Sequence, residues 1–167
     1  LEEHMNARVW LLRDVSWEPD FPTTARIAAD MFKIGQRQEV DGVAAINQWT
    51  LLSLLEALGG VPSPDGGAPI TPRNLFSNLE RGTDQYGRTY MDLVLQGVLE
   101  RLNEPADLST MIRLASALNE SLRGGDLLLF LDDPDAQAVI AANSWDGRVR
   151  RDSMDYLYVV DSNVGWS

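Results

Sequence analysis

The amino-acid sequence predicts an α/β fold, in which a layered, mixed sheet of about four or more strands is covered by helices on both faces. Short apolar runs alternate with longer stretches whose apolar residues recur at spacings of three and four, as in strands and amphipathic helices. With 167 residues, of which 44% are hydrophobic, the chain can bury one substantial core. We therefore expect a single α/β domain over residues 1–167.

The first strand is predicted at 9–12, where a short apolar run ends at the charged pair Arg13 and Asp14. Asp-Phe-Pro at 20–22 is typical of a helix start, and an apolar stripe follows it. We expect Gly35 to end this helix.

The second strand is predicted at 41–46, and Asn47 directly after it is a favourable N-cap for a leucine-rich helix. Gly59 and Gly60 are expected to end that helix. The stretch 61–69 is rich in Pro and Gly, which predicts an exposed loop with one extended residue pair.

Three helices follow, a short one from Thr71 to about residue 79 and two longer amphipathic ones at 89–102 and 109–122. The run 126–131 is the clearest strand of the chain. The last predicted elements are a helix over 132–142 that begins with a cap of two aspartates and a proline, a turn at 146–147 and a strand at 155–160.

Both ends look like cuts through a larger protein, because an apolar run begins as early as residue 9 and the chain stops soon after the last predicted strand. We therefore expect a fragment of a larger domain or protein. No apolar run reaches the roughly 18 residues of a membrane span, and no cleavable signal pattern is present. We expect no membrane span in this fragment.

The charge and composition exclude several kinds of function. The 25 acidic and 14 basic residues give a net charge of −11, which disfavours nucleic acid as a partner. The chain has no cysteine and one histidine, His4, so thiol catalysis, thiolate metal sites and histidine-based triads are excluded.

Polar side chains follow each predicted strand, at the edge where ligands gather in open α/β sheets. They are Arg13, Asp14, Asn47, Asp132, Asp133, Asp161 and Asn163. A guanidinium can hold phosphate while a neighbouring carboxylate binds metal or acts as a base, so the pair Arg13 and Asp14 is a candidate phosphate and Mg²⁺ site. Its alternative is a surface ion pair.

Arg148, Arg150 and Arg151 form the only basic cluster of the sequence. It is interpreted either as a phosphate clamp that faces Arg13 or as the solvated edge of a hairpin beside Asp152. The five tryptophans can stack on sugar or base rings, or pack in the core or at its rim.

The blocks 13–25, 40–46 and 54–61, followed in order by 125–132, 145–147 and 155–163, resemble a bacterial family described as a domain of unknown function, DUF4012. The resemblance implies a large extracytoplasmic protein, held at the cell surface by a transmembrane anchor upstream of this fragment. The glycine-rich block that precedes the first motif in that family is missing here.

An Arg-Asp pair at a strand end, a helix, a strand, and a helix closing on Leu-Gly-Gly-Val at 58–61 also resemble the LytR-CpsA-Psr (LCP) proteins. These transfer glycopolymers from polyprenyl pyrophosphate carriers to the bacterial wall. The resemblance implies catalytic roles for Arg13 and Asp14 at the pyrophosphate and Mg²⁺ site. Arg88, Arg148 and Arg150, with Asp161 and Asn163, are further candidate binding residues.

Three functions remain open on the sequence: LCP-like phosphotransfer with a polyprenyl-phosphate-linked glycan or cell-wall polymer as partner, a non-catalytic scaffold or recognition module for envelope glycan or protein, and structural binding of a divalent metal. Further arginines around Arg13 would favour the enzyme. Pairing of Arg13 with an acidic residue alone would favour the module.

Overall fold

The computed structural model describes residues 18–86 and 89–149, and over these residues the protein is a mixed α/β structure. Its elements are α1 (Phe21–Gln36), β1 (Gly42–Ile46), α2 (Gln48–Leu58), α3 (Leu75–Tyr86), α4 (Thr89–Asn103), α5 (Leu108–Gly124), β2 (Leu127–Leu131) and α6 (Pro134–Ala142). In the described ranges no helix combines the length and apolarity needed to cross a membrane.

The two strands pair antiparallel, although most of the helices separate them in sequence. The amide of Asp132 donates to the carbonyl of Asp41 at 2.9 Å at one end of the ladder, and the amide of Asn47 donates to the carbonyl of Asp126 at 3.0 Å at the other. The described part of the sheet therefore has two strands. The other two predicted strands, 9–12 and 155–160, lie outside the described residues.

Residue contacts divide the chain into two compact units. Among the described residues, 18–45 and 128–149 form the sheet unit, and 46–127 form the helical unit. Each unit has a hydrophobic cluster of its own. The single domain expected over 1–167 stays a prediction.

In the sheet unit, α1 packs on one face of the two strands. Phe21 and Ala25 of α1 cluster with Phe130 of β2, and three partly buried residues of the strands, Val43, Ala45 and Leu128, pack against them. The ladder places Val43 across from Phe130 and Ala45 across from Leu128. Side chains two residues apart in a strand share a face, so all four apolar side chains point towards α1.

In the helical unit, α2 is the central helix. Its leucines cluster with buried residues of α3 and α4 and with Val61 and Ile70, and Leu114 of α5 packs against this cluster. Val61 forms an isolated antiparallel bridge with Ile70, which lies just beyond the predicted loop 61–69. Both residues are buried, so the ends of the loop belong to the core.

Most predicted helix ends are confirmed by their caps. Asn47 and Asp133 cap α2 and α6 through side-chain oxygens that accept backbone N–H groups. Gly59 and Gly125 end α2 and α5 in the left-handed conformation. Each of these residues caps the adjacent turn of its own helix, and such local interactions can be predicted from the sequence.

Two predicted helices differ from the structure at their boundaries. The first helix continues through Gly35 to Gln36, and Arg37 ends it with φ 57° and an amide that donates to the carbonyl of Lys33. The third helix begins at Leu75 and reaches Tyr86. The helix begins later than the predicted Thr71 because the Oδ1 atom of Asn74 accepts a hydrogen bond from the Thr71 amide at 2.7 Å. This bond holds residues 72–74 in a turn.

Candidate functional site

Of the predicted catalytic and binding residues, Arg148 falls within the described part of the chain, as do the strand-end residues Asn47, Asp132 and Asp133. Arg13 and Asp14 lie outside the described residues, as do Arg88, Arg150, Asp161 and Asn163. Their assignment to a phosphate and metal site therefore stays a prediction.

Arg148 pairs with a buried acid. Its Nε atom lies 3.4 Å from Oδ2 of Asp146, and its amide donates to Oδ1 of the same carboxylate at 3.3 Å. The side chain of Asp146 is 3% exposed, whereas that of Arg148 is 49% exposed. A buried carboxylate is costly unless it is paired, so this guanidinium offsets the charge of Asp146.

Asp20 is the second carboxylate beside Arg148. Its Oδ2 accepts the amide and hydroxyl of Thr23 at 3.2 and 2.7 Å, and its Oδ1 accepts the amide of Val149 at 3.1 Å. Burial raises the pKa of Asp20, but the hydrogen bonds from Thr23 and Val149 and the charge of Arg148 together lower the pKa below its ordinary value. Asp20, Asp146 and Arg148 form what we call the arginine–carboxylate cluster.

The turn predicted at 146–147 overlaps the end of an observed turn over residues 143–146, and Gly147 directly follows it before Arg148. Gly147 has φ 56°, and an added Cβ would approach Cδ1 of Leu128 to 2.7 Å, so this position favours glycine. The amide of Leu129 donates to the carbonyl of Trp145 at 2.9 Å, and the amide of Phe21 donates to the carbonyl of Gly147 at 3.4 Å. The turn is thus held against both β2 and α1.

Counted over the described residues alone, the cluster has two carboxylates for one guanidinium, which is less positive charge than a phosphate clamp requires. Among the described residues no group of three potential ligands is placed to hold a metal ion. Asp133 caps α6 by accepting the amide of Ala136 at 2.8 Å. Asp133 therefore serves its own helix, and Asp20 and Asp146 serve backbone amides and Arg148.

The helical unit contains a polar groove between α2 and α5, with a volume of about 240 Å³. The groove is lined by Ser53, Glu56, Ala57, Arg113, Ser116, Ala117 and Glu120. It presents two carboxylates and two hydroxyls around one guanidinium. Such groups can donate hydrogen bonds to a polar, uncharged ligand and accept hydrogen bonds from it.

Arg113 bridges the two helices of the groove. Its Nε donates to the carbonyl of Ala57 at 3.1 Å, near the end of α2, and its terminal nitrogens donate to the hydroxyls of Ser109 and Thr110 at 3.2 and 2.8 Å. No function was predicted for Arg113 from the sequence. The sequence feature that could have indicated a role for Arg113 is its position as a charged residue on the side of α5 that faces α2, next to Leu114 and Ala117.

An exposed tryptophan lies beside this groove. Trp49 is on α2 four residues before Ser53 and seven before Glu56, which places the three side chains on the same side of the helix. Its side chain is 57% exposed, so Trp49 is not a core residue. A flat aromatic surface next to polar groups is a suitable stacking surface for a sugar ring.

A family model described as protein of unknown function (DUF4012) matches residues 1–86, just over half of the chain. The chain belongs to the DUF4012 family. No curated protein and no solved structure matches the chain significantly.

The match to DUF4012 covers only part of the candidate sites. Asp20, Trp49 and Glu56 lie within the matched residues, and Arg113 and Arg148 lie beyond them. In this DUF4012 chain the arginine–carboxylate cluster and the groove thus each combine matched residues with residues from the second half of the sequence.

Proposed function

We propose that this DUF4012 chain is a non-catalytic recognition module for envelope glycan, in an extracytoplasmic bacterial protein that is anchored by a membrane segment outside this chain. The observation that carries the proposal is the groove between α2 and α5 with Trp49 beside it. The ring provides stacking, while Glu56, Glu120 and Ser116 supply acceptors for sugar hydroxyls.

The charge of the protein supports an uncharged ligand. A net charge of −11 repels polyanions over the whole surface. Arg148, the candidate phosphate ligand that the structure describes, is already paired with Asp146. Recognition of neutral sugar rings requires no excess positive charge.

The proposal includes the fold of the complete domain. We infer an LCP-like, layered sheet of about four or more strands, in which 9–12 and 155–160 join β1 and β2 with helices on both faces. This part rests on the apolar runs of the sequence and on the resemblance to LCP proteins.

The test is titration of the protein with soluble peptidoglycan oligosaccharides, followed by tryptophan fluorescence and calorimetry. Saturable binding is expected, and Trp49→Ala should weaken it by about five- to thirtyfold, since stacking on an aromatic ring contributes roughly 1–2 kcal/mol. Phe76→Ala is the matched control, because Phe76 is 51% exposed on α3 and lies outside the groove lining. An equal loss of affinity in Trp49→Ala and Phe76→Ala, or the absence of saturable binding, would contradict the proposal.

LCP-like phosphotransfer is the second candidate, and the pair Arg13 and Asp14 favours it. In this proposal Arg13 neutralises pyrophosphate charge and Asp14 binds Mg²⁺, with electrostatic stabilisation supplying most of the rate. Crystals soaked with a polyprenyl phosphate and Mg²⁺ test it. The lipid phosphate is expected on Arg13, and a phosphate bound elsewhere rejects the enzyme.

A further inference from the structure

A second cavity lies at the end of α2, and we call it the end cavity. Its volume is about 590 Å³. It is lined by Leu55, Glu56, Gly59, Thr71, Pro72 and Arg73. The groove between α2 and α5, at about 240 Å³, is smaller than the roughly 300–1,000 Å³ of typical small-molecule sites, whereas the end cavity falls within that range. The larger part of the space beside α2 therefore lies outside the groove.

Glu56 lines both the groove and the end cavity. Around an α-helix, Ser53 and Ala57 lie on one side of Glu56, and both line the groove. Leu55 and Gly59 lie on the other side, and both line the end cavity. The two spaces therefore meet at the Glu56 side chain. Within the described part of the chain its carboxylate has no ion pair and no hydrogen bond, so its oxygens are able to accept from a ligand on either side.

Arg73 supplies the hydrogen-bond donors of the end cavity. Among the described residues its guanidinium has no ion pair and no hydrogen bond. Arg113 in the groove, by contrast, already donates to the carbonyl of Ala57 and to two hydroxyls. Because a guanidinium carries several N–H donors and no acceptor, Arg73 is suited to the hydroxyl and acetamido oxygens of a sugar.

The wall that carries Arg73 is held in place by hydrogen bonds. Oδ1 of Asn74 accepts the amide and the hydroxyl of Thr71 at 2.7 and 3.1 Å. Directly before this turn, Ile70 exchanges backbone hydrogen bonds of 2.9 and 2.8 Å with Val61, which follows closely after the end of α2. The wall is therefore fixed against α2 before any ligand binds, and a preformed wall lowers the ordering cost of binding.

On the basis of the proposed glycan recognition, we infer that the ligand is an oligosaccharide that runs along α2 from Trp49, past Glu56 and into the end cavity, where Arg73 binds a further sugar. The path from Trp49 to Gly59 is about 15 Å long at 1.5 Å per residue, which is longer than one sugar ring. Neutral sugars suit both parts of the path, because their hydroxyls donate to Glu56 and their oxygens accept from Arg73. The end cavity is thus a second subsite of the groove.

Calorimetric titration of the whole chain with the disaccharide and the tetrasaccharide of peptidoglycan tests the second subsite. The tetrasaccharide is expected to bind about tenfold or more tightly, because it alone reaches both the groove and the end cavity. Arg73→Ala should weaken the tetrasaccharide by about tenfold, since hydrogen bonds from a charged donor are among the stronger ones. The affinity for the disaccharide should not change.

Arg37→Ala is the matched control, because it removes the same charge from an exposed arginine that lines neither the groove nor the end cavity. It should leave both affinities unchanged. Gly59→Asn tests the cavity without removing a charge. Gly59 has φ 75°, which asparagine tolerates better than most residues, and an added Cβ would have no neighbour within 4 Å. The new side chain should narrow the end cavity and weaken the tetrasaccharide alone, with thermal unfolding as the check on folding.

The outcomes for the second subsite differ from those for the groove. If both saccharides bind equally well, or if Arg73→Ala weakens both equally, the second subsite is wrong even where binding still depends on Trp49. If neither saccharide binds saturably, the proposed glycan recognition is rejected and the second subsite with it. Tighter binding of the tetrasaccharide that is lost in Arg73→Ala and kept in Arg37→Ala is the result expected.

Discussion

Asn47 and Asp126 are 79 residues apart in sequence, yet the Nδ2 atom of Asn47 donates to Oδ1 of Asp126 at 2.5 Å. The Oδ1 atom of Asn47 at the same time accepts the amides of Trp49 and Thr50 at 2.9 and 3.1 Å. The buried hydroxyl of Thr50 donates to the carbonyl of Asp126 at 2.8 Å. The start of α2, and with it Trp49, is therefore tied to the residue that precedes β2.

Asn47→Ala is expected to lower the free energy of unfolding by about 1–2 kcal/mol, because it removes both the cap of α2 and the bond to Asp126. Asn47→Asp keeps a capping oxygen but places a second carboxylate against Asp126, so the variant should lose stability as the pH rises through its carboxyl pKa values. Urea unfolding at several pH values measures both effects. Combining Asn47→Asp with Asp126→Asn should restore stability, and failure to do so would show that the contact is unimportant.

Arg148→Ala should destabilise the sheet unit by about 1–3 kcal/mol, because the buried carboxylate of Asp146 loses its counter-charge. The effect is smaller than for a fully buried pair, since half of the Arg148 side chain is exposed. In a protein that already carries Asp146→Asn, Arg148→Ala should lower the free energy of unfolding much less. A double-mutant cycle by urea unfolding measures the difference, and additive effects would mean that the pair is not coupled.

The contribution of Asp20 to stability should depend on pH. Because its pKa in the folded protein is lowered from 3.8, the ionised carboxylate stabilises the fold above that value, and this stability is lost as the pH falls through the folded pKa. Asp20→Asn should thus be less stable than wild type at about pH 7, and the difference should shrink below about pH 4. A difference that is constant over this range would contradict the assignment.

Gly82→Ala should destabilise the helical unit by about 1–3 kcal/mol, because the added methyl group would overlap the ring of the buried Tyr90 between α3 and α4. Gly97→Ala is the matched control within α4. Its added carbon would have no neighbour closer than 3.9 Å, so helix propensity should make this variant more stable by up to about 1 kcal/mol. Thermal unfolding of both variants checks the opposite signs.

The candidate sites were only partly predictable. Turn 146–147 was predicted from Asp-Gly alone, and the turn is what brings Arg148 to its acid. Contacts between distant parts of the chain decide that Asp146 is buried and that Asp20, the N-cap of α1, lies beside the same arginine. The groove could not be found from the sequence, because Glu56 on α2 and Arg113 on α5 come together only after the helices pack.

The sequence by itself determined the order and type of the described helices and strands, the capping residues Asn47 and Asp133, and the family. These follow from patterns within one turn or strand and from short sequence blocks. Only the tertiary structure decided that β1 pairs with β2, that Arg148 neutralises a buried carboxylate and that Trp49 remains exposed while its neighbours Leu51 and Leu54 are buried. Burial and ion pairing depend on which elements lie next to each other, and no local pattern specifies that neighbour.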